Sequence, residues 1–404
     1  MIASRIAWIT VAGSALLGAS PAIAGTFYSI TPLPFQPADL NNSGDVVGQQ
    51  YLWRNGTLFD IRTFPGATDT TLNARGINDT GWIVGDGLRS DRSAPFFDIA
   101  NNRGFVFNGR DITPIPPTTF TIPAARTIAT DVNNQNQVLV NEQLVGTGVS
   151  GVTFRLEPDG SRTPLFQTAR FGAIDARATN NRGQAVGTSL SSGRTGPGAA
   201  YLSDGTITTP LISSGYCSTF IDFIVPRCEQ GVTNPPQPIA LNLNDRGQVV
   251  GAGPLIRAND APLRAIIWEN PLTNPFGKDL GSFGQGVSEG FGRNLESIAN
   301  GINTSGDVVG YAYAPNGERR AVLWQNGQLI DLNDQSVLDS SWKLTNALKI
   351  NGAGQIIGIG SFNGQETGFL LSPEPIPEPN QVLGSSIAGV GMFLACLLRK
   401  RRSR

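Results

Sequence analysis

Three observations predict an all-β fold for this 404-residue chain. Glycine and proline are abundant, at 49 and 27 residues, while strong helix formers are few and Thr, Val and Ile are many, a composition of short strands punctuated by turns. One nine-residue pattern recurs seven times. Asn-Gly or Asp-Gly pairs between apolar runs, the strongest short-range hairpin signal, follow most of its copies.

The pattern is an apolar residue, Asn, two polar residues, usually Gly, one polar residue, a β-branched pair and usually Gly. The first copy is Leu40-Asn41-Asn42-Ser43-Gly44-Asp45-Val46-Val47-Gly48, and the others occupy residues 77–85, 132–140, 179–187, 243–251, 302–310 and 350–358. Asn bonds its own backbone two residues on and Gly supplies positive φ, so Asn-x-x-Gly makes a tight corner between an entering and a returning strand. Copy three has Asn136 and Val140 in place of both glycines, and copy four has Thr179 at the apolar position. The asparagines, 41, 78, 133, 180, 244, 303 and 351, are 37 to 64 residues apart, so the connecting loops vary in length.

A second hairpin follows in most copies, as in Tyr51-Leu52-Trp53-Arg54-Asn55-Gly56-Thr57-Leu58, Phe105-Val106-Phe107-Asn108-Gly109-Arg110, Tyr201-Leu202-Ser203-Asp204-Gly205-Thr206 and Val322-Leu323-Trp324-Gln325-Asn326-Gly327-Gln328-Leu329. Four strands per unit in seven units predict a seven-bladed β-propeller over residues 25–372. The seventh copy stops after its third strand, at Gly368-Phe369-Leu370-Leu371, whereas the chain opens with an unpaired strand from Phe27 to Leu33. Its Ile30-Thr31-Pro32-Leu33 matches the fourth-strand segments Ile112-Thr113-Pro114-Ile115, Arg162-Thr163-Pro164-Leu165 and Thr208-Thr209-Pro210-Leu211. The N-terminal strand is therefore expected to complete the last blade, and the alternative, an open β-solenoid, gives no reason for that match.

The set of Asn-x-x-Gly-x-Val-Val-Gly and Leu-Trp-x-Asn-Gly motifs resembles the HAF family of extracellular repeats over roughly residues 26–371. The resemblance implies an exported, repeat-built β protein and little about activity. The Trp position is filled at Trp53, Trp268 and Trp324, and by Phe107, Ser203 and Leu371 elsewhere, so packing is expected to be less uniform at the latter.

Both termini carry export signals. Met1 to Arg5 bears one positive charge, Ile6 to Leu17 is apolar, and Ala22 and Ala24 supply the small residues of a signal peptidase site, which predicts a signal peptide over residues 1–24. At the other end a linker over residues 373–381 contains Pro377-Glu378-Pro379, residues 382–398 are apolar, and residues 399–404 form a basic tail. Pro-Glu-Pro stays extended because proline fixes φ and disfavours helix in the residue before it. The apolar run spans about 26 Å as a helix, slightly short of the ~30 Å hydrocarbon core, which suits transient insertion with the basic tail inside. This order of elements resembles the PEP-CTERM sorting tail. The resemblance implies an exosortase-type processing enzyme as partner and a mature protein at the cell surface or beyond; a plain tail anchor is the alternative.

Removing Arg5 and the five basic tail residues leaves 24 of 30 basic residues against 31 acidic ones, a net charge of about −7. An acidic body argues against nucleic acid as a partner. Histidine is absent, which removes Ser-His-Asp and Cys-His chemistry, zinc-histidine sites and imidazole bases together. Neither a metal nor a cofactor is implied. Of three cysteines, Cys396 lies in the tail, leaving Cys217 and Cys228 as an expected disulfide in an oxidising compartment.

Asn41 to Asp45 and Asn303 to Asp307 superficially resemble calcium loops, but each holds one carboxylate where a calcium site needs several, so turn chemistry is favoured. The recurring Trp and Phe suit blade packing better than a sugar platform, since they hold a fixed strand position. Asp91 with Asp98, or Glu289 with Glu296, are carboxylate pairs that glycoside chemistry uses, yet the Ser-x-Asp-x-Gly-x-x-Trp box of propeller sialidases is missing. No catalytic residue is assigned. The sequence thus favours a non-enzymatic surface or matrix protein that binds polysaccharide or other proteins; the alternative is a histidine-free glycan lyase or glycoside hydrolase.

Overall fold

The computed structural model describes residues 27–374, apart from residues 68, 90–101, 119–124, 145–150, 167–173, 190–199, 216–229, 231–235, 260, 285–286, 290–292 and 335–340. The signal-peptide, sorting-tail and disulfide positions (Ala22, Ala24, Pro377, Glu378, Pro379, Cys217 and Cys228) therefore lie outside the described residues, as do Asp91 and Asp98. Among the described residues, no helix is long and apolar enough to cross a membrane.

Among the described residues, seven sheets of mainly antiparallel strands make a seven-bladed β-propeller. Six have four strands; blade one is typical, with Asp39–Leu40 innermost, then Val46–Gly48, Tyr51–Arg54 and Thr57–Asp60. The expected fourth strands are observed at Ile112–Ile115, Arg162–Leu165 and Thr208–Leu211. Blade five departs from the pattern. Its third strand, Leu263–Trp268, pairs with the two-residue strand Lys278–Asp279 and also, in parallel at Leu263, with a hairpin of Val287–Glu289 and Arg293–Leu295.

The seam closes as expected. Phe27–Leu33 is the outer strand of blade seven and lies antiparallel to Gln365–Glu374, with Leu33 opposite Gly368 and Ile30 opposite Leu371. That strand runs to Glu374, so Pro373 and Glu374 pair with Tyr28 and Phe27. The first and last described strands thus share one sheet and hide two edges that would otherwise invite further pairing.

The β-branched pair explains how blades hold one another. Successive side chains on a strand point to opposite faces, so one member of each pair packs on the preceding blade and the other on the following one. Val46 joins the cluster shared with blade seven and Val47 the cluster shared with blade two. The rule holds for Ile83 and Val84, Val249 and Val250, and Ile356 and Ile357, all without solvent exposure. The hydrophobic core is thus divided among the blade interfaces. The pattern's closing glycine has a steric cause: a Cβ on Gly251 would lie 1.9 Å from the carbonyl oxygen of Ile239. Copy three instead buries Val140 within its interface.

Turn chemistry follows the residues. Asn55-Gly56 and Asn326-Gly327 form two-residue turns with both φ values positive. Where residues follow the pair before the next strand, as after Asn108-Gly109 and Asp204-Gly205, the loop lengthens to four residues, 108–111 and 204–207.

Candidate functional site

The innermost strands surround a central channel, and successive positions of the repeat form stacked layers along it. The narrow mouth is built from the repeated asparagine. In every copy its side-chain Nδ2 donates to the backbone carbonyl of the asparagine in the next copy, from Asn41 to Asn78, Asn133, Asn180, Asn244, Asn303 and Asn351, and from Asn351 back to Asn41, at 2.8 to 3.3 Å. All seven asparagines are buried. Their Oδ1 atoms accept from backbone N–H groups of their own turns, such as Ser43 and Asp45 for Asn41. Each residue thus satisfies both a turn and a neighbouring blade, as buried polar groups require.

One residue on, a second belt crosses the same seam. The N–H groups of Asn42, Asp79, Asn134, Asn181 and Gly352 donate to side-chain oxygens of Asp79, Asn134, Asn181, Asp245 and Asn42 in the adjoining copy, at 2.7 to 2.9 Å. In the Asn41 to Asp45 turn the one carboxylate is engaged within its own blade: Asp45 accepts from Asn41 and pairs with Arg54 at 2.7 Å.

Two residues before the asparagine the layer is charged. Asp39 and Lys349 meet across the seam at 3.7 Å, and Asp131 faces the same narrow cavity of about 170 Å³. Asp39 accepts from the Ile77 N–H at 2.9 Å, and Asp131 from the Thr179 and Val132 N–H groups at 2.8 and 2.9 Å. The Thr179 hydroxyl donates to the Gln184 carbonyl at 3.0 Å, so the apolar position of copy four is filled by a satisfied polar group. Burial pushes the Asp39 carboxyl above the usual range despite Lys349, and pushes Asp131 up to about 6. Burial opposes the Lys349 charge, but Asp39 and Asp131 outweigh it and hold the ammonium above its usual value. One ammonium balances one carboxylate, and the second carboxylate keeps its proton longer.

Three residues before the asparagine, six innermost strands slip register by one residue, as between Ala74 and Gly76 or Ala176 and Ala178. A bulge of this kind re-aims a side chain. The displaced residues (Arg75, Thr130, Arg177, Leu241, Asn300 and Leu348), with Ala38 from blade one, all line a wider cavity of about 530 Å³. Arg75 pairs with Asp86, and Arg177 with Asp175 at 2.5 Å. The two guanidinium side chains remain 39% and 52% exposed, so they are held in place while still meeting solvent. Lys349 borders both cavities.

The residues of the charged and bulged layers carry no role in the repeat motif, which starts just after them. Their signal is the opposite of repetition: the two positions just before each motif change character from copy to copy within otherwise apolar strands. The recurring Trp pack the blades as expected, Trp53 partly buried against the cluster between blades seven and one. Trp268 and Trp324 are buried at blade interfaces, and the Trp268 Nε1 donates to the Ile212 carbonyl at 2.8 Å. Glu296, from the second carboxylate pair, accepts from Ser282 and lies 3.5 Å from Arg264; the side chain of Glu289 is outside the described residues.

Neither a family model nor a curated protein matches the chain. Among solved structures, the WD40 domain of SCAP from fission yeast is similar over 86% of this chain and 98% of its own, at 10% identity and a TM-score of 0.31. A hypothetical protein from Leishmania major is similar over 73% of this chain and 80% of its own, at 10% identity and a TM-score of 0.23. Superpositions this loose carry no functional weight, and the propeller assignment stands on strand pairing.

Proposed function

We propose that this chain is an exported, non-enzymatic binding propeller that takes extracellular polysaccharide at the wide mouth of its channel. The observation that carries the reading is the contrast in availability of charged groups. Asp39 and Lys349 are committed to each other, and Asp39 and Asp131 to backbone N–H groups, whereas Arg75 and Arg177 stay half-exposed in a cavity of about 530 Å³ with Asn73, Asn141 and Asn300. Such a rim supplies the donors and acceptors that sugar hydroxyls need, on strands held rigid by closure. In this reading the PEP-CTERM-like tail delivers the protein to an exosortase-type enzyme, which removes the helix and leaves the HAF-like body at the surface.

A glycan array with the purified protein, followed by product analysis of every hit, tests it. Binding without cleavage, weakened by Arg75→Ala with Arg177→Ala, is the expected result. Cleaved products would replace it with the lyase or hydrolase reading, and an array without hits would remove polysaccharide as the ligand. Mass spectrometry of surface protein should find no terminal basic cluster; intact Arg404 would make the tail a plain anchor.

A further inference from the structure

Blade two breaks the repeat at one position. Four residues after the ring asparagine, six copies place Asp45, Gln137, Gln184, Gln248, Asp307 or Gln355, and each accepts from that asparagine's Nδ2. Copy two places Trp82 there, which offers no acceptor. The missing acceptor comes from the next blade: Asn136, which stands in the turn where the pattern has glycine, holds φ at 60° and accepts from Asn78 Nδ2 at 2.8 Å. The unusual asparagine of copy three thus compensates for the unusual tryptophan of copy two.

The indole so accommodated is not core. Trp82, Val106 and Leu156 are only partly buried against the cluster between blades two and three, and they floor an open cavity of about 370 Å³. Its rim is polar and firmly held. Glu157 accepts from Arg155 at 2.7 Å and Thr163 at 2.9 Å through Oε1, and from Gln137 at 2.8 Å through Oε2, which keeps one lone pair for a ligand. Asn108 Oδ1 accepts the N–H groups of Arg110 and Asp111, which fixes the amide and leaves its Nδ2 without a protein partner among the described residues. Arg162 stacks over Phe154 at 4.6 Å and donates one N–H to Pro116 at 2.6 Å.

We propose that this interblade groove is a second, stacking subsite for a pyranose ring of the same polysaccharide, with Trp82 as its platform. The ligand class rests on the function proposed above. An aromatic floor matches the C–H face of a sugar, and a rim holding both acceptor and donors matches its hydroxyls. An extended peptide fits less well, because Pro114 in the outer strand removes a ladder donor from the edge it would join.

The test uses the full chain and an array of gluco-, manno- and galacto-configured oligosaccharides with their uronate counterparts, then tryptophan-fluorescence titration with the best hit. Trp82→Gln restores the residue type of the other copies, so it is expected to fold, and it should weaken binding roughly tenfold, the scale of one aromatic stacking contact. Trp82→Phe should fall between. Equal affinities of wild type and Trp82→Gln for a glycan that wild type binds would overturn the subsite and leave the polysaccharide reading intact. Failure of wild type to bind any glycan would overturn both, and binding of peptides alone at Trp82 would overturn the ligand class.

Discussion

The two mouths of the channel are made by the same seven strands, three residues apart, yet they differ completely in how they treat repetition. At the narrow mouth one residue type does one job seven times, each asparagine bonding the next copy's carbonyl. At the wide mouth the corresponding position, bulged in six blades, holds Ala38, Arg75, Thr130, Arg177, Leu241, Asn300 and Leu348. Repetition marks what every blade needs for closure, and variety marks what only one place in the ring needs. If that contrast is correct, changes at shared positions cost stability wherever they are made, and changes at varied positions cost function instead.

The largest effect is expected at the seam. Deleting residues 27–33 removes a paired strand and uncovers the clusters that hold Tyr28 and Leu33, and should lower stability by several kcal/mol. Removal of an equal length around Pro235 to Pro238 should matter far less in the same urea titration. Next, Asn244→Ala removes one of the two donors to the Asn303 carbonyl and the acceptor of two turn N–H groups, a loss of about 3 kcal/mol. Arg177→Ala, in the varied layer and half-exposed, should stay within about 0.5 kcal/mol. Equal losses would erase the distinction between the layers.

The charged layer adds a pH signature. Asp131 is raised to about 6 by burial, so the folded chain holds its proton more tightly than the unfolded chain does. Its contribution is complete below about pH 4 and is lost as pH rises through about 6, on the order of 3 kcal/mol. Asp131→Asn should flatten that part of the stability profile, and an unchanged slope would mean that the carboxyl is not the source. Smaller still, Asn136→Gly should cost about 1 kcal/mol by leaving Asn78 Nδ2 with the Asn133 carbonyl as its one remaining acceptor. Adding Trp82→Gln should recover most of it, and strict additivity of the two changes would show that they do not compensate.

Much of the fold was legible because its causes are local. Asn and Gly write the corner, the Val-Val pair writes two opposite packing faces, and Ile30-Thr31-Pro32-Leu33 matches other outer strands residue for residue. The hairpin of residues 287–295 on blade five was not legible, since nothing in the repeat specifies it. The channel was hidden for a different reason: Asp39, Asp131 and Lys349 are far apart in the chain and meet only once the ring closes, while a bulge at Leu241 or Leu348 carries no turn residue to announce it. Trp82 breaks the polar position of the motif, but the recurring aromatic position of the sequence is the strand position of Trp53, Trp268 and Trp324, where packing explains it.

The central claim is that the ring of asparagines is closed, with no first or last member. Thermal and urea denaturation of seven single Asn→Ala variants tests it most directly. A closed ring predicts comparable losses of about 3 kcal/mol at all seven sites, because Asn351 donates to the Asn41 carbonyl across the seam as the others donate within the chain. If Asn351→Ala melts like the wild type while the interior variants are destabilised, the last blade does not meet the first, and the closed propeller is contradicted.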